Sequence, residues 1–373
     1  MLIVRGAIKD YDWGIVDGLE RWAGESTGEP QAELWFGVHP GGPSPLIDME
    51  GEPTGEHLAD HFDIEAIPLL VKLLAAARPL SVQLHPTRAT ARRMWDSQHA
   101  PGADRVLSDP FEKTEMLVAL DPFEAFVGWR EASEAARILT GIDGTAEAVA
   151  ALLAGDRPTA IRTLVATAND DRVARLPEAA AAAGLPESQV RAYRTVAEDY
   201  PGDQGGLLTA LLAYLHLEPG QAVFVPAGLP HSYIQGTGLE VMTSSDNVIR
   251  LGLTSKPVFV DHAIDALVDG LRPQVMATRH GDLIWPVNSP FIVRVATSGS
   301  ERIQQGSYRI VLLIEGRATV TSEFGDVTLR PGTAAVISAD DPDSVVTSDG
   351  LVAIIQSTSV QVEQPMGKDP DEH

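Results

Sequence analysis

The chain has 373 residues, with 28 Lys plus Arg against 52 Asp plus Glu, a formal net charge of −24 and no cysteine. The length fits two or three domains at about 150 residues each. The acidic balance argues against non-specific binding to nucleic acid or an anionic membrane, and the lack of thiols excludes disulfides and thiolate-built zinc or iron–sulfur sites. Any metal must therefore sit among imidazoles, carboxylates and carbonyl oxygens. Only five lysines occur, at 9, 72, 113, 256 and 368.

In chain order, Met1 to Arg5 is too short an apolar run for a signal peptide, and no window holds 18 uninterrupted apolar residues. The expected address is the cytoplasm. Residues 67–86 read as two buried strands joined by a short turn. Lys72 interrupts the first of them, either as a buried ion pair or as the lining of a site. In the second, Gln83 and His85 stand at i and i+2, the spacing that puts two strand side chains on one face. Glu115 opens a further strand that continues through Met116 to Leu120.

From Glu131 to Tyr200 there are 19 alanines in 70 residues. Leu, Arg and Glu are spaced for helices, and Pro158, Pro177 and Pro186 mark helix boundaries. This segment reads as a helical insert that carries no recognisable chemistry. Residues 220–260 and 290–360 alternate apolar and polar side chains between closely spaced turns, the pattern of antiparallel sandwiches or barrels. The polar, acidic tail from Gln364 to His373 is expected to be disordered.

An internal repeat joins the two β-rich stretches. Residues 217–231, LEPGQAVFVPAGLPH, align without gaps on residues 329–343, LRPGTAAVISADDPD, with six of fifteen positions identical. A Pro-Gly turn, an apolar strand and a Pro-terminated bend make one unit of a jelly roll, so two copies imply two related barrels. The final position differs: His231 in the first copy is Asp343 in the second, which places any chemistry in the first. Gln83, His85, Glu115 and His231 together would make a thiol-free site for Zn²⁺ or a similar ion. Spacing alone leaves that reading beside chance pairing.

The stretches Tyr11-Asp-Trp-Gly14, residues 32–40 (AELWFGVHP), residues 80–86 (LSVQLHP), Lys113-Thr-Glu-Met116, residues 226–233 (PAGLPHSY) and residues 245–254 (SDNVIRLGLT) occur in the order found in type I phosphomannose isomerases. The chain resembles that family from about residue 5 to 260, and weakly beyond. The resemblance implies a mainly β protein of two cupin (jelly-roll) barrels plus an α-helical domain. One zinc per chain would be held by Gln83, His85, Glu115 and His231. Arg250, Lys113 and Asp246 fall on the family's active-site positions and are expected to be catalytic, with Arg250 and Lys256 as alternative phosphate contacts. Glu240, Tyr233 and Trp13 are expected to contact the sugar. The sequence departs from the family at Thr114, where Pro is frequent, at Thr87-Arg88 in place of Asp-Lys, and at residues 242–245 (MTSS) near which cysteines are common.

The implied function is zinc-dependent interconversion of D-mannose 6-phosphate and D-fructose 6-phosphate through a cis-enediol, feeding GDP-mannose and glycan synthesis or mannose catabolism. Rival readings are another metal-dependent cupin, such as a dioxygenase, and a non-catalytic sugar-phosphate-binding protein. The expected partner is a phosphorylated hexose, with no nucleic acid and no membrane. A monomer is expected, because no sustained heptad asks for a partner. The expected domains are 1–130 with 205–265 as catalytic cupin, 131–204 as helical insert, 266–360 as metal-free cupin and 361–373 as tail. Glu33, Trp35 and His39 read as packing and hydrogen-bonding groups near the barrel mouth. Asp121, His61, His99, His216 and His262 read as surface or satisfied core groups.

Overall fold

The computed structural model describes residues 1–277, 283–284 and 286–358, so the expected tail lies outside the described residues. Strands outweigh helices, as alternation predicts, and the chain divides into two compact units. The first comprises Gly6–Ser44 and Leu69–Ala277.

That unit is organised by the 13-residue strand His231–Thr243. Its second half pairs with Leu69–Ala76, with Leu239 opposite Leu73, and with Glu115–Ala119, with Glu240 opposite Leu117. Its first half pairs instead with Phe123–Trp129, with Ser232 opposite Phe126. The switch falls at Gly236, which has φ 128° and where a Cβ would come within 2.7 Å of Phe123. Only glycine allows that crossing. Leu74, Leu117, Phe123, Val223, Val225 and Tyr233 fill the interior beneath.

Six helices lie between Ala132 and Asp199. Pro158 and Pro177 occupy first-turn positions and Pro186 is an N-cap, sites that need no amide hydrogen bond from proline. The helices have no core of their own. Ile138, Leu164, Tyr193 and Val196 belong to one apolar cluster with Val82, Phe126 and Ile249 of the sheet. Arg130 adds a polar tie, donating to the Leu212 carbonyl, Gln189 Oε1 and the Tyr193 hydroxyl.

The second unit comprises Met1–Arg5, Pro45–Pro68 and the described residues beyond Ala277. It contains an eight-stranded and a four-stranded sheet, between which Val311, Leu313, Val320, Ala335, Val346 and Ile354 are buried. The division differs from the expected boundaries in two places. Leu2–Arg5 pairs with Thr333–Ile337 and, through Val4, with Leu46, so two N-terminal segments group with the C-terminal sheets. Gln274–Ala277 pairs with Gln221–Val225 and so stays with the first unit. Alternation marks a strand but does not say which strand it will pair with.

The repeat is structurally real. Its two apolar runs are the strands Gln221–Val225 and Thr333–Ile337, and each follows a glycine with left-handed backbone, Gly220 at φ 84° and Gly332 at φ 79°. That conformation is the physical reason for both Pro-Gly pairs.

Candidate active site and metal centre

Four strands of the first unit converge on one end of the sheet. Val82–Leu84 pairs with Ile249–Gly252, setting Arg250 opposite Gln83, and touches the start of His231–Thr243, setting His231 opposite Gln83. Glu115 opens Glu115–Ala119 and lies opposite both Val225 and Met242. Residues 83, 85, 115 and 231 thus meet through sheet pairing, although up to 148 residues separate them.

His85, Glu115 and His231 are buried, with ligand atoms all within 4.8 Å of one another. His85 Nε2 is 3.1 Å from Glu115 Oε2, and His231 Nε2 is 2.9 Å from Glu115 Oε1. His85 Nδ1 donates to the Asn247 carbonyl at 2.7 Å, and His231 Nδ1 to the Leu229 carbonyl at 3.2 Å. A carbonyl only accepts, so each neutral ring turns a bare Nε2 lone pair toward the carboxylate. Burial, with Lys113 nearby, pushes His85 down to about 4, which keeps it neutral near pH 7. Burial opposes ionisation of Glu115, but nearby positive charge, Lys113 at 3.4 Å included, holds its carboxyl well below the usual range.

Electron pairs gathered in this way repel one another unless a cation lies among them. His85 Nε2 and Glu115 Oε2 make no hydrogen bond, although both are buried. Two imidazoles and a carboxylate with outward-facing hydrogen bonds suit a zinc ion. Gln83 differs in one detail from the expected ligand. Its Nε2 faces His231 Nε2 at 3.3 Å, while its Oε1 accepts from Ser81 Oγ at 2.6 Å. Ligation through oxygen requires the carboxamide turned over, which Ser81 permits because a hydroxyl accepts as well as donates.

Above this floor opens a cavity of about 1020 Å³. Gln83, Glu115, Lys113, Asp246, Arg250, Lys256, Glu240, Tyr233 and Trp13 all line it, whereas His85 and His231 lie behind its surface. Lys113 Nζ is 3.4 Å from Glu115, and the Tyr233 hydroxyl donates to Glu115 at 3.4 Å. Lys72 combines its two sequence readings: it lines the cavity and sits between Glu33 at 3.3 Å and Glu240 at 3.0 Å. Burial alone would lower it, but the two carboxylates prevail and keep it charged. Trp35 Nε1 fixes the far side of Glu33 at 2.7 Å. Among the described residues, Arg250 and Lys256 have no carboxylate within ion-pair distance, and Lys256 lies over the Tyr11 ring at 5.7 Å.

Some contributors were not singled out from sequence. Asn247, fully buried inside the 245–254 stretch, accepts from the Ser108 amide and donates to the Asp109 and Phe111 carbonyls, while its own carbonyl holds His85. For His39, read as packing and hydrogen-bonding near the barrel mouth, the partner was not foreseen: it bonds Asp246 Oδ2 at 3.2 Å. Asp199, Tyr200 and Asp203, at and beyond the end of the last helix of the insert, wall the cavity together with Arg78. The insert is therefore not remote from the site. Asp203 accepts from the amides of Gly205 and Leu253, where a Cβ on Gly252 would come within 2.3 Å of Gly205. By contrast, His61 pairs with Glu56 and Asp121 with Arg21 at the surface, as expected.

Fold and site define a metal-dependent, phosphate-compatible β-sheet enzyme. Residues 1–132 match the family model for the phosphomannose isomerase type I catalytic domain. The mannose-6-phosphate isomerase of Escherichia coli is 30% identical over 93% of this chain and 97% of its own length. A crystal structure of a variant phosphomannose isomerase from Salmonella typhimurium superposes with TM-score 0.82 at 28% identity, covering 96% of this chain and 99% of that one. A mannose 6-phosphate isomerase crystallised with zinc and yttrium superposes with TM-score 0.79 at 28% identity over the same shares. The chain belongs to the type I phosphomannose isomerases. Among the described residues, no helix is long and apolar enough to cross a membrane.

Proposed function

We infer that the protein is a zinc-dependent isomerase interconverting D-mannose 6-phosphate and D-fructose 6-phosphate. The observation that carries this is the His85–Glu115–His231 cluster at the floor of a cavity whose rim holds two unneutralised cations. A zinc ion held by Gln83, His85, Glu115 and His231 supplies Lewis acidity that eases removal of the proton beside the sugar carbonyl.

The remaining work falls to the chain. Arg250 and Lys256 anchor the 6-phosphate through charge-assisted hydrogen bonds. The sugar's C1 and C2 then extend toward Asp246 and Lys113: from mannose 6-phosphate, the Asp246 carboxylate takes the proton from C2 and returns it to C1, while Lys113 gives a proton to the developing O1 oxyanion and takes one from the O2 hydroxyl. Glu240, paired with Lys72, and Tyr233 orient the hydroxyls, and Trp13 packs against the ring. Ion pairing of Lys72 and Lys113 leaves the phosphate no better anchor than Arg250 and Lys256.

Both units are read as cupin barrels. The expected division assigns the catalytic barrel to 1–130 with 205–265 and the metal-free one to 266–360; the packing supports shifting 1–5 and 45–68 to the latter. The reading includes a cytoplasmic monomer that supplies mannose for GDP-mannose or consumes it in catabolism. A coupled assay of fructose 6-phosphate formation tests the core claim. Activity should vanish with chelator and return with added zinc; activity that survives chelation overturns the zinc assignment.

A further inference from the structure

Asp246 is more than half exposed in the cavity, and an exposed carboxylate samples several rotamers unless something holds it. The holder is His39, whose side chain is only 6% exposed. The Gly41 amide donates to His39 Nδ1 at 3.1 Å. That bond makes Nδ1 the acceptor, so in the neutral ring the proton resides on Nε2, which faces Asp246 Oδ2 at 3.2 Å. The edge of His39 meets the Trp35 ring at 90° with centroids 5.0 Å apart, which fixes the imidazole plane. From the other side, the Asp246 amide donates to Asp109 Oδ2 at 3.0 Å. Backbone and side chain of Asp246 are thus held by different elements. The His39 bond, opposed by partial burial, keeps the carboxyl below its ordinary range, with Lys113 and Lys72 adding to the effect.

We propose that His39 is a positioning residue that acts through Asp246, aiming its ionised carboxylate at the reacting end of the substrate. This rests on the proton-handling role inferred above for Asp246. A buried tautomer set by a backbone amide, aimed at one half-exposed carboxylate in the cavity, is more than packing requires. An apolar side chain would fill the space beside Trp35 equally well.

The test is a double-mutant cycle on the zinc-loaded enzyme with mannose 6-phosphate, with thermal melting and zinc content measured for each variant. H39L should lower kcat by about 10- to 100-fold, the value of one hydrogen bond to a charged group, and change KM by less than about threefold. H39Q, which returns an N–H donor near the Nε2 position, should recover most of the loss. In a D246N background, H39L should cost less than about twofold more, because the interaction is already gone. An equal loss in both backgrounds overturns the proposal and makes His39 structural. So does wild-type kcat in H39L where D246N is impaired. Wild-type kcat in D246N refutes the role of Asp246 itself, and the proposal falls with it.

Discussion

The two units use one strand wiring around opposite charges. In the first, Glu115 heads a strand between two neighbours and lies opposite Val225. In the second, Arg309 heads a strand between two neighbours and lies opposite Ile337, the residue that the repeat aligns with Val225. Arg309 thus stands where Glu115 stands. Asp343 replaces His231, and Gln304 follows the Ile303–Ser344 pair at the place where Gln83 faces His231. Around Glu115, lone pairs converge and call for a cation from outside. Arg309 is fully buried, and its guanidinium donates to the carbonyls of Gln304, Ser338, Asp341 and Pro342. The second unit carries its cation covalently. A guanidinium cannot leave, and it offers no open position to a ligand, so exchanges at the positions of Glu115 and His231 separate the two centres.

The largest test of this contrast is Glu115→Gln. Zinc measured by elemental analysis should fall away and turnover should drop by more than about a thousandfold, the loss of several kcal/mol of carbonyl polarisation. Next comes Arg309→Leu, which strands four carbonyls without a donor. Denaturant melts should show a loss of about 3 to 5 kcal/mol, while the zinc content of the folded fraction stays unchanged. A smaller effect comes from chelation alone. Amide exchange should accelerate in Glu115–Ala119 and Val82–Leu84 and stay unchanged in Arg309–Leu313; equal acceleration in both would dissolve the contrast.

The smallest effect is expected at Asp343. Hydrogen bonds from Arg302, then from the Gln305 amide, hold its carboxyl below the ordinary value. A group lowered on folding stabilises above its unfolded value of about 4 and loses that contribution as pH falls through the lower folded value. The difference in melting temperature between wild type and D343N should therefore be constant above about pH 5 and shrink on acidification. A difference that grows toward low pH would reverse the sign.

The candidate site was legible through motifs met in family order; a Gln-x-His at strand spacing, a carboxylate at a strand start and a lysine inside an apolar run were each ambiguous alone. The alanine-rich helices and their opening prolines were legible because their signals are local. What escaped depends on who meets whom. His39 looks like any residue of a loop until Asp246 is brought opposite it, and Asn247 acquires its role only from the 108–111 loop. Arg309, in the apolar run Tyr308-Arg-Ile-Val311, gave no sign that its guanidinium would gather four carbonyls. The assignment of Leu2–Arg5 to the distant sheet rests on pairing with residues more than 300 positions away.

The contact between Gly205 and Gly252 has a bearing on how such a chain can diversify. The helices before it reach the rest of the unit partly through exposed ion pairs, such as Arg157 with Asp269 and Arg162 with Asp261, which tolerate change. Their exit does not, because at this crossing neither backbone has room for a side chain. A transplanted helical segment would be accepted only if it delivered a glycine to this point, beside the strand that carries Arg250. The crossing is a fixed port: modules upstream can be exchanged, and the wall they give the cavity will still arrive in register with Arg250.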